Sequence, residues 1–276
     1  MVRLFQPFPL RYVVPNAITC VGLCLGLWSA QVSAQAHTPA DLSLAAWLVL
    51  WATILDKLDG TVARRLGATS AIGVQLDSFS DFVTFGLAPA ALVGSALPLL
   101  LPEPWARGGG HALVTVLAGL YVVAAALRLA RFNVTTTSGN PLFFQGLPTT
   151  ASGGVLGSLF LTMQVMGVPA SAYHLLPALL ALHTVLMVSN LPLPKLRLGR
   201  HKAWRAFQVA NVVAVYVLVP LCCNPFHSYA WTLVPPYLLL VSGGYVVGGF
   251  AYGLRAAGDA APAPSHDDAT PGRAAA

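Results

Sequence analysis

Eight apolar stretches of roughly 20 residues follow one another along this chain of 276 residues. A helix needs about 20 predominantly apolar residues to cross the hydrocarbon core of a bilayer. Charged residues make up only 9% of the chain, whereas a soluble domain carries about 25%. Because backbone polar groups in lipid must be bonded within the chain, we expect helices rather than open strands. The predicted spans are 14–34, 42–66, 77–101, 111–133, 147–167, 173–191, 205–222 and 229–253.

The basic residues predict how the chain is oriented in the membrane. If the N-terminus is cytoplasmic, 14 of the 15 lysine and arginine residues fall on the cytoplasmic side and Arg107 alone falls on the other. Positive charge in short loops collects on the cytoplasmic side, and an even number of spans returns the C-terminus there. We therefore expect a multi-pass protein of the cytoplasmic membrane with both termini inside. The net charge of +6 suits contact with anionic membrane lipids, and we expect no nucleic-acid partner.

Four aspartates lie where a carboxylate is costly. Asp56 and Asp59 fall in the second predicted span, and Asp77 and Asp81 fall in the third. An aspartate deep in a bilayer costs about 2.5–3.5 kcal/mol, so four unpaired ones would cost on the order of 10 kcal/mol, comparable to the stability of many folds. A bound partner must therefore offset this cost.

The spacing of the four aspartates predicts that they converge. Asp56 and Asp59 are three positions apart, and Asp77 and Asp81 are four apart, so each pair shares one face of its helix. The short loop between the two spans makes the helices antiparallel neighbours. Clustered carboxylates can bind a cation, and hard oxygen ligands suit Mg²⁺ or Mn²⁺. With Arg64 as a phosphate-binding fork, the pattern is typical of a phosphoryl-transfer site.

The residues around the aspartates form a longer motif. Residues 56–64 read DKLDGTVAR and, after eight residues, residues 73–81 read GVQLDSFSD. This resembles, at every specified position, the signature DxxDGxxAR–x8–GxxxDxxxD of the CDP-alcohol phosphatidyltransferases. PNAIT at residues 15–19 resembles the start of the first helix in that family. Similarity to its bacterial phosphatidylserine synthase branch comes from 81–90 (DFVTFGLAPA), 128–133 (RLARFN) and 144–148 (FQGLP).

The resemblance implies a fold and a reaction. Family members share a six-helix core and form dimers, so an all-α membrane bundle with two extra C-terminal spans and a homodimer are implied. The implied reaction transfers the phosphatidyl group of CDP-diacylglycerol to an alcohol, L-serine, and releases CMP. The expected divisions are an interfacial segment 1–12, a catalytic core 13–200, two additional spans 201–256 and a disordered cytoplasmic tail 257–276.

The resemblance also implies roles for single residues. Four aspartates would bind one or two divalent cations, Mg²⁺ or Mn²⁺, and Asp81 would also act as the base that takes the proton of the serine hydroxyl. The serine carboxylate needs a cation, which points to the polar cluster at the end of the fourth span, although arginines also flank spans for orientation alone. The metal ligands are Asp56, Asp59, Asp77 and Asp81. The expected CDP-lipid contacts are Asn16, Thr19, Gly60, Arg64, Ser70 and Gly73. The expected acceptor contacts are Arg128, Arg131, Asn133 and Gln145.

Three other functions stay open at this point. The same signature serves enzymes whose acceptor is glycerol 3-phosphate, inositol phosphate or choline. A transporter also places carboxylates within the membrane, but here all four lie near one surface and the other spans continue no polar path. A structural or lipid-binding protein would leave the cost of the four aspartates unexplained.

Overall fold

The computed structural model describes residues 10–135, 143–194 and 228–259, together with isolated helical positions between residues 206 and 217. A π-helical turn, Phe82–Leu87, joins α3 to α4, and a 3-10 turn, Ala170–Leu175, leads into α8. The helices described are α1 (Leu10–Ala34), α2 (Pro39–Arg65), α3 (Ala71–Asp81), α4 (Ala88–Leu100), α5 (Pro102–Trp105), α6 (Gly108–Thr135), α7 (Thr149–Val165), α8 (Leu176–Val188) and α9 (Ser228–Asp259).

The all-α membrane class predicted from the sequence is confirmed. Within the described residues, six segments are long and apolar enough to cross a membrane: Arg11–Ala34, Pro39–Arg65, Ala71–Leu100, Gly108–Val134, Ala170–Val188 and Thr232–Ala256. At the fifth predicted span lies α7, which has only 17 residues. The seventh predicted span, 205–222, falls outside the described residues except for single positions, as do most of the interfacial segment and the tail. The number of eight spans and the divisions of the chain stay predictions.

Local capping sets the hairpin formed by α2 and α3. At the end of α2, Gly67 takes a φ of 56°, in the left-handed region that glycine adopts without strain. Ser70 then caps α3, because its Oγ accepts the N–H of Gly73 at 3.0 Å. Consequently α3 begins at Ala71, six residues before the predicted start of the third span at residue 77. Asp77 therefore lies within a helix rather than at its first position.

Small residues bring α1 against the α3–α4 segment. A Cβ atom on Gly26 would overlap Thr84 Oγ1, and one on Gly22 would lie 3.4 Å from Ser80 Oγ. Thr84 and Ser80 donate hydrogen bonds to the carbonyls of Gly22 and Thr19, each at 3.3 Å. This close approach places the N-terminal half of α1 beside the acidic stretch of α2.

A short antiparallel ribbon lies next to α9. Strand β1 (Phe143–Gln145) pairs with β2 (Pro192–Pro194), with Phe144 opposite Leu193. On α9, a Cβ atom at Gly253 would overlap the Pro192 carbonyl oxygen, and one at Gly249 would lie 2.7 Å from Leu193 Cδ1. The two glycines are four residues apart and share a helix face, so α9 packs its small face directly on β2. The sequence analysis had not predicted this ribbon.

Candidate active site

Three aspartates from the α2–α3 hairpin meet at one point. Asp56, Asp59 and Asp77 each contribute one carboxylate oxygen, and these oxygens lie within 4.8 Å of one another. Asp59 is buried and the other two are half-buried. Oxygen ligands lie about 2.0–2.6 Å from a bound Mg²⁺ or Ca²⁺, so opposite ligands are separated by about twice that distance. We call these three residues the acidic cluster, and its geometry fits a divalent cation.

Asp81 borders the acidic cluster. It is the last residue of α3, one turn after Asp77, and its carboxyl group hydrogen-bonds that of Asp56. On the other side of Asp56, Lys57 Nζ donates to Asp56 Oδ2 at 2.8 Å, with the lysine side chain 63% exposed and the aspartate 14% exposed. The sequence-predicted convergence therefore holds, with three carboxylates in one group and the fourth beside it.

Thr19 of α1 supports the acidic cluster from behind. Its Oγ1 donates to Asp59 Oδ2 at 2.7 Å and lies 3.1 Å from the carbonyl oxygen of Pro15. Thr19 and Asp59 are both buried, so this hydrogen bond fixes the orientation of one metal-ligating carboxylate. The structure thus gives Thr19, predicted as a nucleotide contact, a direct bond to an aspartate.

The other predicted CDP-lipid contacts lie at the same ends of α1, α2 and α3. At Gly73 a Cβ atom would lie 3.1 Å from both Asn16 Oδ1 and Ser70 Oγ, so these three residues meet at the start of α3. Arg64 is exposed and donates to Thr61 Oγ1 at 3.3 Å. A Cβ at Gly60 would lie 3.3 Å from Arg64 Nη1, so glycine leaves room for that guanidinium.

Arg128 of α6 is a buried cation near Asp81. Its side chain is only 7% exposed, its Nη1 lies 3.4 Å from Thr149 Oγ1, and its guanidinium lies 5.6 Å from the centre of the Phe132 ring. Among the described residues its Nε has no hydrogen-bond partner, and Asp81 is close enough for electrostatic interaction. A buried charge with so few partners is costly, which suits a place where an anionic ligand group completes the set.

Arg131, three residues further on, has quite different surroundings. Its Nη2 donates to the carbonyls of Gln145 at 2.9 Å and Ser189 at 3.1 Å, and its Nη1 donates to Asn190 Oδ1 at 3.1 Å. Arg131 therefore ties α6 to β1 and to the C-terminal end of α8, where arginine stabilises the last carbonyls of a helix. The two arginines predicted as one cluster do not share their partners.

Two further predicted acceptor residues lie on either side of this point. Asn133 Nδ2 donates to Ser78 Oγ at 2.9 Å, which joins the end of α6 to the turn of α3 that carries Asp77. Gln145 has an exposed side chain in β1 and offers its carbonyl to Arg131. Whether either residue contacts the acceptor stays a prediction.

Tyr245 of α9 is a site residue that sequence reasoning missed. Its hydroxyl donates to the Pro194 carbonyl oxygen at 2.8 Å, and it interacts electrostatically with Lys57 and Arg128. The residue lies far along the chain from the motifs, in a span expected to be an extension. Its one signal was the repeat of four residues that places Tyr245, Gly249 and Gly253 on the same helix face.

Comparison with known proteins identifies the family of this chain. The family model for CDP-alcohol phosphatidyltransferase matches residues 12–193. The chain belongs to the CDP-alcohol phosphatidyltransferase family. The match includes α1 to α8 and both strands and stops before α9, so Tyr245 lies beyond the part that defines the family.

Several relatives within the family are similar along most of their length. The CDP-diacylglycerol–serine O-phosphatidyltransferase of Mycobacterium leprae is 32% identical over 247 residues, which cover 81% of this chain and 78% of the relative. The protein of the same name from Helicobacter pylori is 31% identical over 193 residues, 70% of this chain and 76% of the relative. The archaetidylserine synthase of Methanothermobacter thermautotrophicus is 33% identical over 152 residues, 54% and 58% of the two chains. This chain is therefore a membrane enzyme of the phosphatidyltransferase class.

Proposed function

We propose that this enzyme transfers the phosphatidyl group of CDP-diacylglycerol to L-serine and releases phosphatidylserine and CMP. The observation that carries the proposal is the acidic cluster of Asp56, Asp59 and Asp77 with Asp81 and the buried Arg128 beside it. Relatives from Mycobacterium leprae and Helicobacter pylori bear names with serine as the acceptor. The site thus offers carboxylates for a metal, a base and a cation for a carboxylate substrate.

The metal end of the site is the acidic cluster. We infer that Asp56, Asp59 and Asp77, with Asp81 at the edge, hold one or two divalent cations, Mg²⁺ or Mn²⁺. Bound there, such a cation neutralises the diphosphate of the substrate and withdraws charge from the breaking P–O bond. Thr19 keeps Asp59 aimed at this point.

The CDP-lipid lies beside the metal end in this proposal. Asn16, Ser70 and Gly73 form one small surface at the start of α3, where a nucleotide can approach the backbone. Gly60 leaves room for Arg64, whose exposed guanidinium suits a phosphate oxygen.

The acceptor end of the site is formed by Arg128, Thr149 and Tyr245. We infer that the serine carboxylate binds Arg128, whose hydrogen-bonding capacity is not filled by the described residues. Because Asp81 interacts with both Arg128 and Asp56, a serine held there has its hydroxyl close to a carboxylate. Asp81 then accepts the hydroxyl proton while the serine oxygen attacks the phosphorus that bears the diacylglycerol. CMP leaves in a single in-line displacement.

Three predicted acceptor residues, Arg131, Asn133 and Gln145, surround this end. Arg131 holds β1 and α8 in place through backbone carbonyls, and Asn133 ties α6 to α3. Their support for the acceptor is therefore argued from position, and direct contact with serine remains part of the proposal.

The proposed setting is the cytoplasmic membrane, with both termini inside and a homodimer as the assembled form. The metal end lies near the end of α2 that carries Arg64 and Arg65, and such basic residues mark the cytoplasmic side. A site at this surface reaches both a lipid substrate in the inner leaflet and water-soluble serine.

An acceptor panel tests the proposed function. Purified full-length protein is incubated with CDP-diacylglycerol, Mn²⁺ and one alcohol at a time, and released CMP is measured with and without a chelator. We expect serine to give the largest release, with chelator abolishing it. If glycerol 3-phosphate, inositol phosphate or choline exceeds serine, or if serine equals the control without acceptor, the serine assignment is wrong. Counterflow of labelled substrate without any lipid product would instead favour a transporter.

A further inference from the structure

A chain of buried polar groups crosses the apolar core behind Asp81. Tyr121 Oη donates to the Phe85 carbonyl oxygen at 3.0 Å and lies 2.8 Å from Ser152 Oγ. Ser152 Oγ lies 2.8 Å from His183 Nδ1. Tyr121 and Ser152 are fully buried and His183 is 6% exposed. The three residues come from α6, α7 and α8, so one polar chain joins three helices. We call it the core relay.

Counting hydrogens fixes the direction of the core relay. The single hydroxyl hydrogen of Tyr121 goes to the Phe85 carbonyl, so Tyr121 must accept the hydrogen of Ser152. Ser152 in turn has no hydrogen left and must accept from His183. The proton of His183 therefore sits on Nδ1, and every donor in the core relay points towards Phe85. A serine–histidine pair of this kind resembles a nucleophile with its base, but here both partners of the serine hydroxyl are already assigned.

The carbonyl at the end of the core relay belongs to the π-helical turn Phe82–Leu87. In a regular α-helix the Phe85 carbonyl would accept the N–H of residue 89, and residue 89 is proline, which has none and whose ring crowds that carbonyl. The helix widens here instead, with the N–H of Ala88 reaching the carbonyl of Val83. Tyr121 supplies the hydrogen that Pro89 cannot give.

The π-helical turn sets the direction in which Asp81 points. Asp81 is the residue immediately before it, and a π turn inserts one extra residue into a helix. Each residue of an α-helix turns about 100°, so the insertion reorients α3 relative to α4. Accordingly α4 buries Leu92 and Leu97 in the core, while Asp81 on the preceding turn faces Asp56.

Close packing keeps the π-helical turn from relaxing. A Cβ at Gly153 would lie 2.9 Å from Phe85 Cδ1, and one at Gly86 would lie 3.0 Å from the Cβ of Ala125. Gly26 approaches Thr84 from the third side. The turn is thus enclosed by α1, α6 and α7, and the core relay is its polar attachment.

We propose that Tyr121, Ser152 and His183 are positioning residues that hold the π-helical turn Phe82–Leu87 and thereby aim the Asp81 carboxylate at the acceptor hydroxyl. This inference rests on the proposed role of Asp81 as the base. The core relay touches neither substrate, so its loss moves the base without removing a binding group. A misplacement of about 1 Å at a reacting group can cost about a hundredfold in rate, whereas substrate affinity is unaffected.

Tyr121→Phe tests the proposal, with Tyr173→Phe as the matched control. Both variants remove one hydroxyl from a buried tyrosine, and Tyr173 packs edge-on against Phe160 outside the core relay. We expect kcat of Tyr121→Phe to fall by about tenfold to a hundredfold, with the KM values for CDP-diacylglycerol and for the acceptor within about twofold of wild type. Tyr173→Phe should keep kcat within about twofold. The proposal is overturned if Tyr121→Phe keeps its kcat, if its KM values rise as much as kcat falls, or if both variants lose kcat equally.

A second pair of variants keeps the test decisive if Tyr121→Phe does not fold. His183→Asn retains a donor near the position of Nδ1, and His183→Leu removes it. We expect Asn to preserve kcat within about threefold and Leu to lose about tenfold. Equal kcat values for the two variants would reject the positioning role. All assays use the acceptor that gives wild type its largest CMP release, so a failed serine assignment is seen in wild type and does not affect this comparison.

Discussion

The metal end takes its three clustered carboxylates from a single hairpin, whereas the acceptor end draws Arg128, Thr149 and Tyr245 from three separate helices. Within the hairpin, two helical repeats and one capped turn are enough to bring the oxygens within 4.8 Å. At the acceptor end, contact depends on how α6, α7 and α9 pack. Chemistry common to the family thus rests on local geometry, and the choice of acceptor rests on tertiary packing. Substitutions at the two ends should therefore affect different kinetic constants.

Asp81→Asn should have the largest effect, because Asp81 links the two ends. The amide cannot accept the hydroxyl proton, so we expect kcat to fall by about 10²–10⁴. Folding and Mn²⁺ binding should stay close to wild type, since the acidic cluster retains its three carboxylates. CMP release and Mn²⁺ titration on the same preparation measure both. Near-normal turnover would remove Asp81 from the role of base.

Arg128→Gln should affect the acceptor end alone. Losing a charged hydrogen-bonding partner costs about 1.5–3 kcal/mol, so the KM for serine should rise by about tenfold to a hundredfold while the KM for CDP-diacylglycerol stays within about twofold. The matched control is Arg131→Gln, the same change three residues away. Because Arg131 binds backbone carbonyls, this control should lower thermal stability more than it raises the KM for serine. An equal rise in both variants would show that the two arginines act as one acceptor cluster.

Thr19→Val should weaken the metal end without touching the acceptor end. The variant removes the hydrogen bond to Asp59, and loss of such a partner of a metal ligand typically costs tenfold to a hundredfold in metal affinity. We expect the midpoint of Mn²⁺ activation to rise by about tenfold at an unchanged KM for serine. Thr53→Val is the control, because the Thr53 hydroxyl bonds only to the Val49 carbonyl of its own helix in the contacts described. A rise in the KM for serine with Thr19→Val would blur the separation of the two ends.

Tyr245→Phe should have the smallest effect. One neutral hydrogen bond contributes about 1 kcal/mol, so a rise of about threefold to fivefold in the KM for serine is expected, with kcat unchanged. Tyr252→Phe on the same helix is the control, because Tyr252 is 61% exposed. Identical kinetics for both variants would assign Tyr245 to packing alone.

The sequence predicted the parts that depend on short-range spacing. The intervals between Asp56, Asp59 and Asp77 follow the helical repeat, and the short connecting loop leaves little freedom in how the two helices meet. The class of fold followed from the length and composition of the spans. The start of α3 was misplaced by six residues because the capping role of Ser70 was not considered.

Features that arise from packing were not predictable in the same way. Nothing in the spacing of Arg128 and Arg131 indicates that one is buried beside Asp81 while the other binds the end of α8. The contact of Thr19 with Asp59 spans 40 residues, and Tyr245 reaches the site only because α9 packs on β2. Pro89 did carry a readable signal, since it removes a hydrogen-bond donor one turn after Phe85.

Direct titration with Mn²⁺ tests the central claim that the α2–α3 hairpin holds a divalent cation. Binding is followed by electron paramagnetic resonance on purified wild type and on Asp56→Asn, Asp59→Asn and Asp77→Asn, with the exposed Glu103→Gln as control. We predict a bound Mn²⁺ signal in wild type and in the control, and affinity at least about tenfold weaker in each aspartate variant. Equal affinity in wild type and all three aspartate variants would contradict the claim.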